Sequence, residues 1–418
     1  MFAYHFRSSI VGNGSTADSL YYIWSCFLVS AAKVPEVNKN TVKRFFVILN
    51  WSLYWLNLGR WPTHHWDGTA YLPGTAAYNL AYNVRYLADG YYGIPLALIG
   101  DLDYFYKWLE LENHSSTTAP CMCCAANLTT FNWRDCRTVA AWIGSTYTHA
   151  TWVAAHPNRL SLFFLSFITI YCLCPDYMHC KYLGCDQYLM GSILWYMCQK
   201  LMEDPDPSVN MARIMVLLKR QFRQRDVSSF GIITINMFSN KDSKKLRGRA
   251  SEIRHLGCSL LAVFKAEHTA AAARGPLPTD EQELCRLIKA TLKLNTKLDE
   301  IIDENPGWTI TGTPHDQLVQ CAHDFATTYS ALARQAATME LELFTMTIKM
   351  HYIIHICRFA DRLHPKLTWC FGGETFMKVA RGLMQSCMRA SSPYDATRQF
   401  GEKYPYALHC LFKKISKE

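Results

Sequence analysis

The chain has 418 residues, of which 50% are hydrophobic and 18% charged. That composition supplies apolar surface for two or three packed cores and excludes a largely disordered polymer. A formal charge of +9 is a modest basic excess, compatible with a polyanionic partner, and 12 Trp with 23 Tyr suit dense packing or surfaces on which bases stack.

The opening residues, MFAYHFRSSIVGNGS, show no long apolar stretch behind a basic start. No secretory leader is read there, so the expected location is nuclear or cytoplasmic. The 17 Cys then read as free thiols or metal ligands rather than disulfides. Residues 8–35 read as short strands around Gly12 and Gly14, and 38–58 as an amphipathic helix capped by Asn40. A loop carrying WPTHHWDG and LPG precedes a helix near 75–88. GIPLALIG, residues 93–100, reads as a buried strand that ends in Asp101-Leu102-Asp103. The apolar run 160–174 is too short to cross a membrane and reads as a second buried strand. Pro175 breaks it, Asp176 and His179 follow, and an apolar-periodic helix continues through Leu183, Leu189, Ile193 and Met197.

After DPDPS the pattern changes to long helices over 208–225, 245–268, 279–303 and 315–360. Alternating strands and helices followed by helices alone suggest an α/β core joined to a helical block. The expected division is 1–200 as the first part of the core, with a Cys-rich segment at 119–136, then 201–340 as a helical insertion, and 341–418 completing the core.

Several groups carry chemistry. Asp101 and Asp103 stand at the carboxyl end of a strand, where open α/β sheets place their sites, although an Asp there also caps a helix. Asp176 and His179, three apart, could hold a metal or touch a phosphate, or simply begin a helix. The C-x-x-C of Cys121 and Cys124 suits one half of a zinc site. Cys136, Cys172, Cys174, His179 and Cys180 are the candidates for the other half, against the plainer role of small buried hydrophobes. His351 and His355 share a helix face, but without a neighbouring Glu they read as core histidines. Glu374 opens a helix after two glycines, a favourable place for a carboxylate. The basic runs 217–225 and 241–255, with Lys219, Arg220, Lys244, Lys245, Arg247 and Arg249, read as solvated faces or as tracks for a DNA backbone.

The order of these blocks is GDLDY, PC-x-x-C, AHPN, PDYMHCKYLG, a basic helical block, a K-x-H helix and a Gly-Gly-Glu helix. Over nearly the whole chain it resembles the CACTA/Plavaka-related cut-and-paste DNA transposases, most specifically across residues 90–200. The resemblance implies a ribonuclease H-like α/β core, a mixed sheet flanked by helices, with a large helical insertion. It further implies DNA as partner, a homo-oligomer, and DNA strand cleavage and transfer through two Mg²⁺ or Mn²⁺ ions about 4 Å apart. By resemblance the catalytic set is Asp101 and Glu374 with Asp176 and His179 nearby, Asp103 is a further metal ligand, and Glu342 stands in reserve for Glu374. The departure is the first acid, for which the comparable place is Asn13 before Gly14. A neutral amide cannot bridge two cations as a carboxylate does, so a truncated or decayed copy with little or no cutting activity is expected. The alternative is a non-catalytic, zinc-stabilised DNA- or protein-binding protein derived from a transposon.

Overall fold

Helical periodicity governs this chain far more than strand pairing does. The computed structural model describes residues 2–7, 20–26, 35–225, 227–239, 243–387, 395, 398–404 and 406, without the side chains of 2–7, 20–26, 35–41, 88, 374–380 and 384. Asn13 lies outside the described residues. The chain divides into two compact units: residues 1–96, 160–169 and 370–418 form one, and 97–159 with 170–369 form the other.

In the first unit β1 (Phe2–Arg7) and β2 (Leu20–Cys26) pair antiparallel, with Phe2 opposite Cys26. Helix α1 (Pro35–Leu58) buries Val42, Phe45 and Phe46 and stops at Gly59, whose φ of +62° a side chain would resist. A short helix, Ala76–Asn79, begins on the Thr75 side chain, which accepts a hydrogen bond from the Tyr78 amide. The helix Phe371–Cys387 also belongs to this unit.

The second unit is built on β3 (Leu98–Gly100) and β4 (Leu173–Pro175), paired parallel with Leu98 opposite Leu173 and Gly100 opposite Pro175. Helix α2 (Leu102–Leu109) leaves β3 at once and buries Leu102, Phe105 and Leu109, the spacing of one helix face. Beyond β4 come α3 (Tyr177–Cys180), a π-helical turn over Lys181–Asp186, α4 (Gln187–Tyr196) and a second π turn over Met197–Leu201. Leu189, Met190, Ile193, Leu194 and Tyr196 are completely buried, so α4 is apolar around its circumference and forms the centre of the core. Around it lie α5 (Pro207–Arg223), α6 (Ala250–Arg274), α7 (Thr279–Glu304), α8 (Thr313–Thr338) and α9 (Ile348–Arg358). Helix α7 packs along α8, α6 along α7, and α9 along α8.

A buried ion network ties the first π turn to α7. Lys181 Nζ donates to Asp186 Oδ2 and Asp299 Oδ2, each at 2.9 Å, while the Tyr182 hydroxyl donates to Asp299 Oδ1 at 2.8 Å. Burial pushes the Asp186 carboxyl up to about 6, against the pull of Lys181.

The ribonuclease H-like mixed sheet is not what the chain forms. The protein is mostly helical, and among the described residues the second unit's sheet is the small parallel pair β3/β4. The run 160–174 was expected as one strand; it instead forms 3-10 turns at Ser161–Phe164 and Ile170–Cys172 before the three residues of β4. The physical reason is that a short apolar run records burial and not backbone conformation, so period alone cannot separate a strand from a buried turn. The helix expected over 315–360 is two helices, broken where Glu340 and Phe344 take φ of +56° and +58°. The helix expected from 245 begins at Ala250, and residues 243–249 run extended across α4, with the Leu246 amide donating to the Gln187 carbonyl at 2.9 Å. This crossing needs Gly191, since a Cβ there would stand 2.0 Å from the Lys244 carbonyl oxygen. Among the described residues no helix is long and apolar enough to cross a membrane.

Candidate metal centre

The C-x-x-C segment forms a tight loop whose sulfurs are met by backbone amides. The Cys123 amide donates to Cys121 Sγ at 3.3 Å, and the Ala126 amide donates to the Cys124 sulfur. Each sulfur thus receives an N–H two residues further along the chain, which favours the thiolate. Helix α9 clamps this loop through Tyr352, whose hydroxyl accepts from the Met122 amide at 3.0 Å and donates to the Pro120 carbonyl at 3.1 Å. The same helix presents His351 and His355, one turn apart on one face.

The four side chains converge. Ligand atoms from Cys121, Cys124, His351 and His355 all lie within 4.8 Å of one another, and all four residues are buried. The Nε2 atoms of both histidines are 3.3 Å from Cys124 Sγ, and 3.1 Å from each other. Zinc bonds of about 2.3 Å to sulfur and about 2.0 Å to nitrogen imply tetrahedral edges of roughly 3.3–3.8 Å. The observed separations are close to that figure. Burial pushes the Cys121 thiol up, but hydrogen bonds from Cys123 and Cys124 and the facing imidazoles outweigh it and hold this thiol well below the ordinary range. Cys124 is pushed up, first by burial and then by Cys121, so the first thiolate of the pair forms on Cys121. Burial lowers the His355 pKa, keeping the ring in the neutral form that a metal requires.

Packing fixes the ring orientations. Trp142 is completely buried, with the His351 ring 4.3 Å away edge-to-face and the His355 ring at 5.0 Å. The Nδ1 atoms of both histidines are buried without a hydrogen-bond partner, so aromatic packing does here what a carboxylate or carbonyl usually does for a metal-binding histidine. Four soft and borderline donors in a closed, dry cluster can hold a metal ion such as zinc. With no open coordination position, such an ion would be structural and not catalytic.

The expected half-site at Cys121 and Cys124 is therefore present, and its complement is His351 and His355. Among the described residues Cys136, Cys172, Cys174 and Cys180 join no group of possible ligands. Burial pushes the Cys136 and Cys174 thiols up to about 12, which suits small packed hydrophobes. Reading His351 and His355 as core histidines agrees with their full burial but missed that they face Cys121 and Cys124. The available signal was two imidazoles on one helix face in a chain with an incomplete C-x-x-C.

The acids sit nearby in the fold, at the carboxyl edge of β3/β4. Because Gly100 faces Pro175 in a parallel register, Asp101 and Asp176 are the next residues of adjacent strands and leave the sheet at the same edge. Asp101 caps α2, accepting from the Tyr104 amide at 2.6 Å. Asp176 caps α3, accepting from the Met178 amide at 2.9 Å, and also hydrogen-bonds His179 Nδ1. Asp103 pairs with Lys107 at 2.7 Å, and that hydrogen bond holds its carboxyl below the usual range. Glu374 lies in the helix Phe371–Cys387, but its side chain is outside the described residues, and Glu342 is exposed.

The basic residues are distributed along two elements. Lys219 and Arg220 are exposed on α5, while Lys244 and Lys245 lie over the rings of Trp195 and Tyr188 on α4, each at 5.5 Å. Arg247 is exposed, and Arg249 pairs with Glu252 at 3.2 Å. No family model, curated protein or solved structure matches this chain.

Proposed function

We propose that this chain is a DNA-interacting protein of the cut-and-paste transposase type, with its larger unit braced by a structural zinc ion on Cys121, Cys124, His351 and His355. The observation that carries the reading is the register of β3 and β4, which brings Asp101 and Asp176, from two distant sequence blocks, to one edge. A divalent ion bound at that edge would stabilise the attacking and leaving oxygens of a phosphodiester. The chain's own contribution is placement. Helix capping fixes each carboxylate, and His179 is held against Asp176. The strip of Lys244, Lys245, Arg247 and Arg249 supplies phosphate contacts without sequence choice.

A specific observation favours the second reading, a zinc-stabilised binding protein that does not cut. Asp101 and Asp176 both serve as helix caps, and Asp176 is 1% exposed, as a structural carboxylate would be. Two measurements on the purified chain decide between them. Duplex binding is expected to lose about 10³-fold or more between about 50 and 200 mM salt, and to weaken on alanine substitution of the four basic residues. Binding unchanged by salt would sink the DNA reading altogether. Mn²⁺-dependent nicking that disappears in Asp101→Ala and Asp176→Ala would establish the cutting form, and the absence of nicking beside intact binding would establish the other.

A further inference from the structure

The first unit carries a surface that neither the zinc centre nor the acidic edge uses. At the end of α1 the chain turns at Gly59, and residues 85–93 return beside it. The Trp61 amide donates to the Arg85 carbonyl at 2.9 Å, Leu87 to Gly59 at 2.9 Å, and Gly93 to Leu56 at 3.1 Å. The approach is close, since a Cβ on Gly59 would stand 2.9 Å from the Gly90 carbonyl oxygen and 3.0 Å from that of Tyr91. This returning segment holds Tyr86, Tyr91 and Tyr92 out to solvent, 55%, 80% and 73% exposed, with Tyr82 at 44%. Rings that bury so little are not serving a core, and large exposed aromatics grouped together mark an interaction surface.

The charge beside them is basic in excess, although Asp89 stands exposed between Tyr86 and Tyr91. Over residues 42–96 the acids are Asp67 and Asp89, against Lys43, Arg44, Arg60 and Arg85, all four exposed. Arg60 pairs with Tyr86 across the bridge and stands 5.9 Å from the centre of its ring. Exposed rings interleaved with guanidinium groups match a flexible polyanion that carries flat apolar faces. A duplex hides its base faces, whereas a single strand offers them.

We propose that the Tyr86–Tyr92 face of the first unit binds single-stranded DNA, with bases stacking on the tyrosines and Arg60 and Arg85 meeting the phosphates. The choice of DNA over RNA rests on the transposase-type reading above; the single-strand character rests on the tyrosines and arginines themselves.

The test is fluorescence anisotropy of the full chain with labelled oligothymidylate, at low and high salt, for the native protein and for Tyr91→Ala/Tyr92→Ala and Tyr91→Phe/Tyr92→Phe. Because both rings are exposed, neither pair should disturb folding. The alanine pair is expected to weaken binding by at least about tenfold, since each lost base–ring stack is worth roughly 5- to 150-fold, while the phenylalanine pair keeps affinity within about twofold. Any of three results overturns the proposal: no oligothymidylate binding at low salt, equal affinity in the alanine pair, or a native dimer that the alanine pair dissolves. Tighter binding of oligouridylate would overturn the assignment to DNA. Failure of the transposase-type reading is distinguishable, because it would show as duplex binding indifferent to Lys244→Ala, Lys245→Ala, Arg247→Ala and Arg249→Ala in the other unit.

Discussion

Removing the metal, or one of its ligands, is the sharpest test of how the larger unit is held together. Cys124→Ser keeps the volume of the side chain but replaces a sulfur that stands 3.3 Å from both imidazole nitrogens with a hydroxyl that does not ionise near neutrality. Zinc centres in isolated small domains account for about 10–16 kcal/mol of folding free energy. Here α4 and its neighbours form a core of their own, so a bound ion would add to a fold instead of creating it. The gain then follows mass action, and at free zinc about 1,000-fold above its dissociation constant it is about 4 kcal/mol. For a domain of this size about 2 °C of Tm corresponds to each kcal/mol, so chelation should lower Tm by about 8 °C. Calorimetry with and without chelator, alongside elemental analysis, measures this directly. Native protein should hold one zinc per chain, with absorption-edge distances of about 2.3 Å to sulfur and about 2.0 Å to nitrogen. Cys124→Ser should match the chelated protein and ignore added zinc. Zinc-free native protein whose Tm is unmoved by chelator or by zinc would refute the reasoning.

Three further outcomes follow from the packing. Lys181→Met should destabilise by about 3–5 kcal/mol in urea titrations, because it strands Asp186 and Asp299 without their shared cation; a change below about 1 kcal/mol would mean the network is wetter than its burial implies. Gly191→Ala should cost about 1–3 kcal/mol and loosen the 243–249 strip, read as faster amide exchange at Leu246, because the new methyl meets the Lys244 carbonyl at 2.0 Å. His364 is buried with Nδ1 accepting from the Lys366 amide at 3.0 Å, and burial lowers its pKa. In acid the unfolded chain therefore takes up a proton there before the folded one does. The contribution of His364 is complete above its unfolded pKa of about 6.5 and is lost as pH falls from there toward the folded value, by at most about 1.4 kcal/mol per pH unit. His364→Asn should flatten that part of the acid limb, and an unchanged limb would count against it.

Much of the helical pattern of the second half is legible in the residues alone. Asp206 ahead of Pro207 and the acidic first turn at Asp280 and Glu281 place α5 and α7 within a few residues of their observed bounds, whereas apolar periodicity marks the start of α8 but runs on through the break that ends it at Thr338. The sequence also marked Asp101 and Asp176 as residues that follow strands, and Cys121 with Cys124 as half of a ligand set, although the strand expected to be buried over 93–100 is only Leu98–Gly100, with Ile94, Leu96 and Ile99 exposed. It could not say how many strands would pair. The apolar runs around them are equally compatible with buried turns, and only neighbouring backbone decides whether a run becomes part of a ladder. The other half of the ligand set was hidden for a similar reason. His351 lies 227 residues beyond Cys124, and no local pattern links them. Tyr352 anchoring the 120–122 loop and Trp142 backing both imidazoles are what bring the four donors together, and these contacts exist only once α9 has docked. Local chemistry is written along the chain, whereas a four-donor centre depends on distances that packing alone sets.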